Sequence, residues 1–183
     1  DKQGYMWFGL ATGLYRYDGY IFRHYNSTAD KPGQSISNVL QTIETDESGH
    51  LWLGSLNTLQ WYNPVTNRFW TPDYSKPMIR KMGGSYFLNI TKGKSGTMWL
   101  ATQKNYFYRF SGTDSSFTSF NQYPASATKS TIRVFEIGEM VYALHPEGIY
   151  IFSKEGRLSG FYAIPVDEIT NGFYNEKDQS LLL

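Results

Sequence analysis

The sequence contains no cysteine, and charged residues make up only 18% of its 183 positions. The missing thiol excludes disulfides, thiolate zinc sites and cysteine nucleophiles. It leaves the compartment open, because many exported proteins also lack cysteine. Charge of one sign is missing too: 17 Lys and Arg against 16 Asp and Glu leave a formal charge of +1, which argues against a dedicated nucleic-acid binder. No apolar run approaches the roughly 18 residues of a membrane span. No window sustains a helical i, i+3, i+4, i+7 pattern of apolar residues. The chain does not start with Met and shows no signal-peptide pattern, so it reads as an excised piece of something longer. Aromatic residues, by contrast, are plentiful at 17%, a load that excludes disorder.

Those aromatics recur. A Gly, two residues and a Trp appear at Gly4 and Trp7, at Gly49 and Trp52, and at Gly96 and Trp99. A fainter copy begins at Gly138 and carries Tyr142 where Trp is expected. The anchors Trp7, Trp52, Trp99 and Tyr142 are 45, 47 and 43 residues apart, and Leu182 stands 40 further on. Each unit reads as four short strands. In the second unit, 36–45 is apolar and β-branched up to a turn at Asp46 and Gly49. Strands at 51–55 and 59–62 follow, and a loop around Asn63 and Pro64 leads into 68–71. Four strands per roughly 45 residues is the arithmetic of a β-propeller blade. The expected fold is therefore all-β, with about four blades of four antiparallel strands, in units of about 1–35, 36–84, 85–130, 131–166 and a truncated 167–183.

The Trp-x-Gly pair has a packing rationale. A large ring needs a small neighbour on its own face if the next sheet is to approach, and Gly9, Gly54 and Ala101 sit two residues after their Trp. Trp7, Trp52 and Trp99 are thus expected in the core between blades, as are Tyr17, Tyr62, Phe110 and Phe152 at the recurring third-strand position.

The unit D-x-x-G-x-(apolar)-W-(apolar)-G followed by G-L-Y-R-Y-D-G resembles the two-component regulator propeller repeat. Asp1, Gly4, Trp7, Gly9 and 13–19 match almost fully, and Asp46, Gly49, Trp52, Gly54, Leu59 and Tyr62 match well. The third unit departs from the pattern with Gly93 in place of the Asp, and the fourth keeps Gly148, Ile149 and Tyr150 but has lost its Trp. The resemblance implies seven-bladed propellers in the periplasmic sensor half of hybrid two-component regulators. It further implies glycan sensing, with a membrane span, a histidine kinase and a DNA-binding regulator elsewhere in the full protein. On that basis this chain is an arc of a larger propeller. The alternative is a four-bladed ring closed by pairing 168–174 with 5–25. An arc leaves Tyr5, Trp7 and Phe8 at one end, and Phe173, Tyr174 and 181–183 at the other, expected to seek partners in other copies or in neighbouring blades.

No constellation of catalytic residues stands out. His24, His50 and His145, expected in a fourth strand, a turn and an inter-strand loop, share no metal-ligand spacing, and no G-x-S-x-G elbow occurs. No cofactor is implied. Function is expected on loops held by the scaffold, at 11–13, 56–58, 103–105 and 146–148 and in the long connections 26–35, 72–85 and 121–130. Trp61 breaks the recurrence, because its counterparts are Arg16, Arg109 and Ile151. The plainer reading of these residues is that they cover a neighbouring blade or pair locally. The binding candidates are Trp61, Arg16 and Arg109, with Asn57, Lys104 and Asn105 on second-to-third-strand loops and Arg80 in the basic segment 76–81, which would suit an acidic glycan. The expected ligand is an oligosaccharide, since sugars take planar apolar faces for their C–H surfaces and polar groups for their hydroxyls. The competing functions are a propeller lyase or glycosidase, and a protein-interaction scaffold.

Overall fold

The structure is a computed structural model. It describes residues 1–25, 39–73, 75, 80, 82, 84–103, 106–112, 115–120, 123, 130–164, 172–175, 177 and 180–182, with only the backbone described at 173, 174 and 182. Every strand lies in an antiparallel sheet with its neighbours in sequence. The first sheet holds β1 (Met6–Leu10), β2 (Gly13–Tyr17) and β3 (Phe22–Tyr25). Three four-stranded sheets follow. They are β4 (Leu40–Thr45) to β7 (Arg68–Trp70) by way of β5 (Leu51–Ser55) and β6 (Leu59–Asn63); β8 (Phe87–Lys92), β9 (Met98–Thr102), β10 (Phe107–Ser111) and β11 (Ser116–Phe120); and β12 (Arg133–Ile137), β13 (Met140–His145), β14 (Gly148–Ser153) and β15 (Leu158–Ala163). A last pair, β16 (Phe173–Asn175) and β17 (Ser180–Leu182), forms its own sheet. The leading strands β4, β8 and β12 lie against one another in succession, and β1 lies against β4. Among the described residues β16 pairs with β17 and β1 with β2, so no ladder closes a four-bladed ring.

The turn before each Trp strand is set by an acid. Asp1 accepts the amides of Gln3 and Tyr5, and Asp46 accepts those of Ser48 and His50. Gly4 and Gly49 complete these turns at φ +84° and +87°, a region that strongly favours glycine. The same carboxylates accept the indole N–H six residues on, at 2.6 Å for Asp1 and Trp7 and 3.0 Å for Asp46 and Trp52. In the third blade, where Gly93 stands in place of the acid, the indole of Trp99 donates to Glu136 of the next blade at 3.1 Å. A Cβ at Gly93 would meet that carboxylate at 2.6 Å. The glycine thus opens the space through which a neighbour's acid enters. Glu136 also pairs with Lys154 at 3.3 Å, and the carboxylates of Glu139 and Glu136 hold that ammonium above the usual lysine range.

The core lies between the sheets. Trp52 is packed with Phe87, Ile90, Met98 and Leu100 of the third blade, and Trp99 with Val134, Val141, Ala143 and Phe152 of the fourth. Trp7, half-buried, packs with Leu51 and Tyr62 of the second. In two gaps the third-strand aromatic of the following blade meets the Trp before it: Trp7 to Tyr62 is 5.5 Å between centroids, and Trp52 to Phe110 is 4.7 Å. Tyr17 instead stacks on Phe22 in its own sheet at 4.6 Å. The small residues behave as the sequence predicts. A Cβ on Gly54 would sit 2.8 Å from Phe87, and one on Gly9 would sit 3.0 Å from Leu40. His145 departs from expectation: it ends β13 fully buried, near Tyr150 and Tyr123, rather than lying in a loop.

Candidate ligand-binding site

Residues directly opposite across antiparallel strands share a face. Register therefore defines one row per blade on the side turned toward the next blade. Trp7 faces Arg16, Trp52 faces Trp61 and then Trp70, Trp99 faces Arg109, and Tyr142 faces Ile151. The equivalence of Arg16, Trp61, Arg109 and Ile151 read from the repeat holds in space.

In two blades the second place of the row is a guanidinium. Arg16 lies 4.2 Å above the Tyr5 ring and 6.0 Å from that of Trp7. Arg109 reaches across to the fourth blade and donates through Nη1 to the Lys154 carbonyl at 3.1 Å. In the second blade Trp61 takes this place. Half-buried, it stacks on Trp52 at 5.4 Å with the rings 25° apart. Between the second and third blades a cleft of about 580 Å³ remains.

Four aromatic rings form its apolar walls: Trp52 and Trp61 from the second blade, Phe110 and Phe117 from the third. The opposite wall at the third blade is largely backbone and small side chains, at Ser95, Gly96, Gly112 and Ser115. The two turns that carry them approach so closely that a Cβ on Gly112 would sit 2.8 Å from the Gly96 carbonyl. Polar groups come from the turn at 46–50 and from Thr71 and Asp73 after β7. His50 is held between Asp46 at 3.1 Å through Nδ1 and Asn63 at 3.2 Å through Nε2. A carboxylate can only accept, and the Asn63 amide nitrogen can only donate. The imidazole therefore carries its proton on Nδ1 and accepts at Nε2.

Of the binding candidates among the described residues, Trp61 alone lines this cleft; Arg16 and Arg109 hold the equivalent places in other blades. Asn57 is exposed at the tight turn closed by Ser55 and Thr58, and Arg80 is exposed; neither lines the cleft. Lys104 and Asn105 fall outside the described residues. The cleft opens beside first-to-second and third-to-fourth strand turns, not beside the second-to-third strand loops to which the sequence points. In the first and fourth blades those loops are tight: β1 and β2 pair up to Leu10 and Gly13, and β13 and β14 up to His145 and Gly148. Pro72 and Asp73 line the cleft from the start of the connection 72–85, one of the loops to which the sequence points, whereas Asp46, Glu47, Phe110 and Phe117 line it without having been assigned to a binding surface. The one signal that locates them is Trp61 itself.

The three histidines sit in three different sheets with separate surroundings. His24 stacks on Tyr15 at 4.1 Å, His50 is tied to Asp46, and His145 is buried in the fourth blade. No pair of them forms a shared acid–base site.

No protein-family model and no curated protein matches the sequence. Solved structures do. The extracellular domain of BT3049 from B. thetaiotaomicron, assigned to the hybrid two component systems, superposes with a TM-score of 0.80 at 21% identity over 100% of this chain. That of BT4673 from the same organism gives 0.77 at 14% over 99%. The chain has the β-propeller fold of these domains. It spans only 28% and 25% of their lengths. Virginiamycin B lyase from Staphylococcus aureus gives a TM-score of 0.67 at 18% identity, over 90% of this chain and 54% of the lyase. The likeness therefore reaches both sensor domains and an enzyme.

Proposed function

We propose that this chain is a ligand-sensing propeller segment from the periplasmic part of a membrane-anchored two-component regulator, and that it binds an oligosaccharide in the cleft between its second and third blades. One observation carries the site: where two other blades place an arginine between sheets, the second places Trp61, and the gap stays open and aromatic. Trp61 presents a planar apolar surface suited to the C–H face of a pyranose, and the carboxylates and hydroxyls around it suit sugar hydroxyls. The extracellular two-component domains of similar fold support the sensory context. A ligand seated between two blades interacts with both. It would therefore favour one relative arrangement of the sheets over another, which is what relay to a histidine kinase elsewhere in the protein requires.

The test is isothermal titration of the intact ectodomain against a panel of glycans and peptides, with Trp61→Ala beside the parent. Binding of one or more glycans, lost in the variant, is the expected outcome. A panel that yields only a peptide ligand overturns the sugar assignment, and glycan binding unchanged in the variant overturns the site.

A further inference from the structure

Among the described residues, the ionisable side chains lining the cleft are those of Asp46, Glu47, Asp73 and His50, with neither Lys nor Arg. Glu47 projects across the gap toward the third blade, its carboxylate 3.8 Å from where a Cβ on Gly96 would sit. Aromatic faces and acids of one sign together favour a cation, which gains from ring quadrupoles and from carboxylates at once.

The repeat supplies an independent argument. At the same register in the first blade the chain provides its own cation, and the Arg16 guanidinium rests over an aromatic ring. In the third blade the Arg109 guanidinium crosses to the next sheet. Between the second and third blades the row keeps its aromatic partner but loses its cation, Trp61 standing in its place, as Ile151 does opposite Tyr142 in the fourth blade. The architecture accepts a positive group here, and this gap leaves it to be supplied from outside.

We infer that the ligand of this cleft is cationic, an oligosaccharide of amino sugars with free ammonium groups. The inference rests on the oligosaccharide reading above and narrows it. The sugar ring stacks on Trp61 while its C2 ammonium faces Glu47. Arg80, whose basic sequence neighbourhood suggests an acidic glycan, does not line the cleft.

Three β-1,4 hexamers that differ only at C2 make the test: glucosamine, N-acetylglucosamine and glucose. They are titrated into the intact ectodomain at about pH 6, where the amines are charged. The glucosamine hexamer is expected to bind at least tenfold more tightly than the other two, with an affinity that falls as salt rises. Glu47→Gln should weaken it about threefold to tenfold, and Trp61→Arg, which places the repeat's own cation in the gap, should abolish binding while preserving the fold. Equal or tighter binding of a neutral hexamer overturns the charge inference and leaves the oligosaccharide reading standing. Binding of peptides alone overturns both. Glucosamine-hexamer binding that survives Trp61→Arg and Glu47→Gln places the sugar elsewhere and refutes the inference.

Discussion

Trp99 is 1% exposed, and its indole proton goes to the carboxylate of Glu136, borrowed from the fourth blade. Glu136→Ala strands that buried donor, a loss of about 1–3 kcal/mol. The ion pair with the solvent-exposed Lys154 is screened and adds little to this. A total near 2 kcal/mol lowers Tm by roughly 4–8 °C in a chain of this size. The repeat offers a specific repair. Gly93 stands six residues before Trp99, as Asp1 and Asp46 stand before Trp7 and Trp52. Its φ lies outside the left-handed region, and once Glu136 is gone the close contact left to a Cβ is the Trp99 indole at 2.8 Å, which must shift by a few tenths of an ångström to accept it. Gly93→Asp alone should also destabilise, because its Cβ would come within 2.6 Å of Glu136 Oε2 and crowd a second carboxylate against the first. The double variant should be more stable than either single one, a coupling of about 2 kcal/mol or more in its favour. Urea unfolding followed by tryptophan fluorescence measures all four corners of the cycle. Additive or worse behaviour in the double variant would refute the idea that the two acids are interchangeable acceptors for one indole.

Gly54→Ala should cost about 1–3 kcal/mol by forcing apart the second and third blades, where its Cβ would meet Thr42 at 2.6 Å and Phe87 at 2.8 Å. Gly160→Ala, with nothing within 4 Å, should leave the thermal midpoint nearly unchanged; equal losses would deny the inter-blade role of Gly54. Burial raises the phenol of Tyr108 to about 12 and those of Tyr62 and Tyr123 upward as well. Their raised folded-state values mean stability is whole below pH 10 and is lost as pH climbs from there toward 12. Ultraviolet titration should show these tyrosines ionising only with unfolding, whereas smooth titration of all 15 near pH 10 would contradict the burial. Arg109→Ala removes the hydrogen bond to the Lys154 carbonyl and should lower stability by about 1–2 kcal/mol, read by urea unfolding. No change would show that the third and fourth blades do not depend on that tie.

The architecture was legible because a blade is a local object. Its strands are neighbours in sequence and its turns are marked by Asp and Gly. Period two then puts Trp52 and Gly54 on one face, where Phe87 of the next sheet confirms them. The third blade's missing acid was visible as Gly93, but its replacement was not. Glu136 lies 37 residues from Trp99, six before Tyr142 and so at the acid position of its own unit, and nothing in the repeat directs that acid to the preceding blade's indole. Only the stacking of β12 against β8 and β9 brings it in. His145 was placed in a loop because its flanking Pro146 and Gly148 suggest a turn; β13 runs one residue further and buries it in pairing with Gly148.

The candidate cleft was legible at Trp61 and at the start of the connection 72–85 and hidden elsewhere, for a reason of geometry. A cleft between sheets belongs to no single unit, so its walls come from turns about 45–65 residues apart in sequence, at 46–50 and 95–115. What opens it is the near contact of Gly112 with Gly96, which keeps side chains out of the space, together with a tryptophan that folds back on its neighbour instead of reaching across. Repetition tells which residues build the scaffold, since Trp7, Trp52 and Trp99 do the same thing three times. A site has to arise where the copies disagree. Trp61 in place of an arginine is such a disagreement, and it alters both the shape of the gap and the sign of the charge the gap lacks.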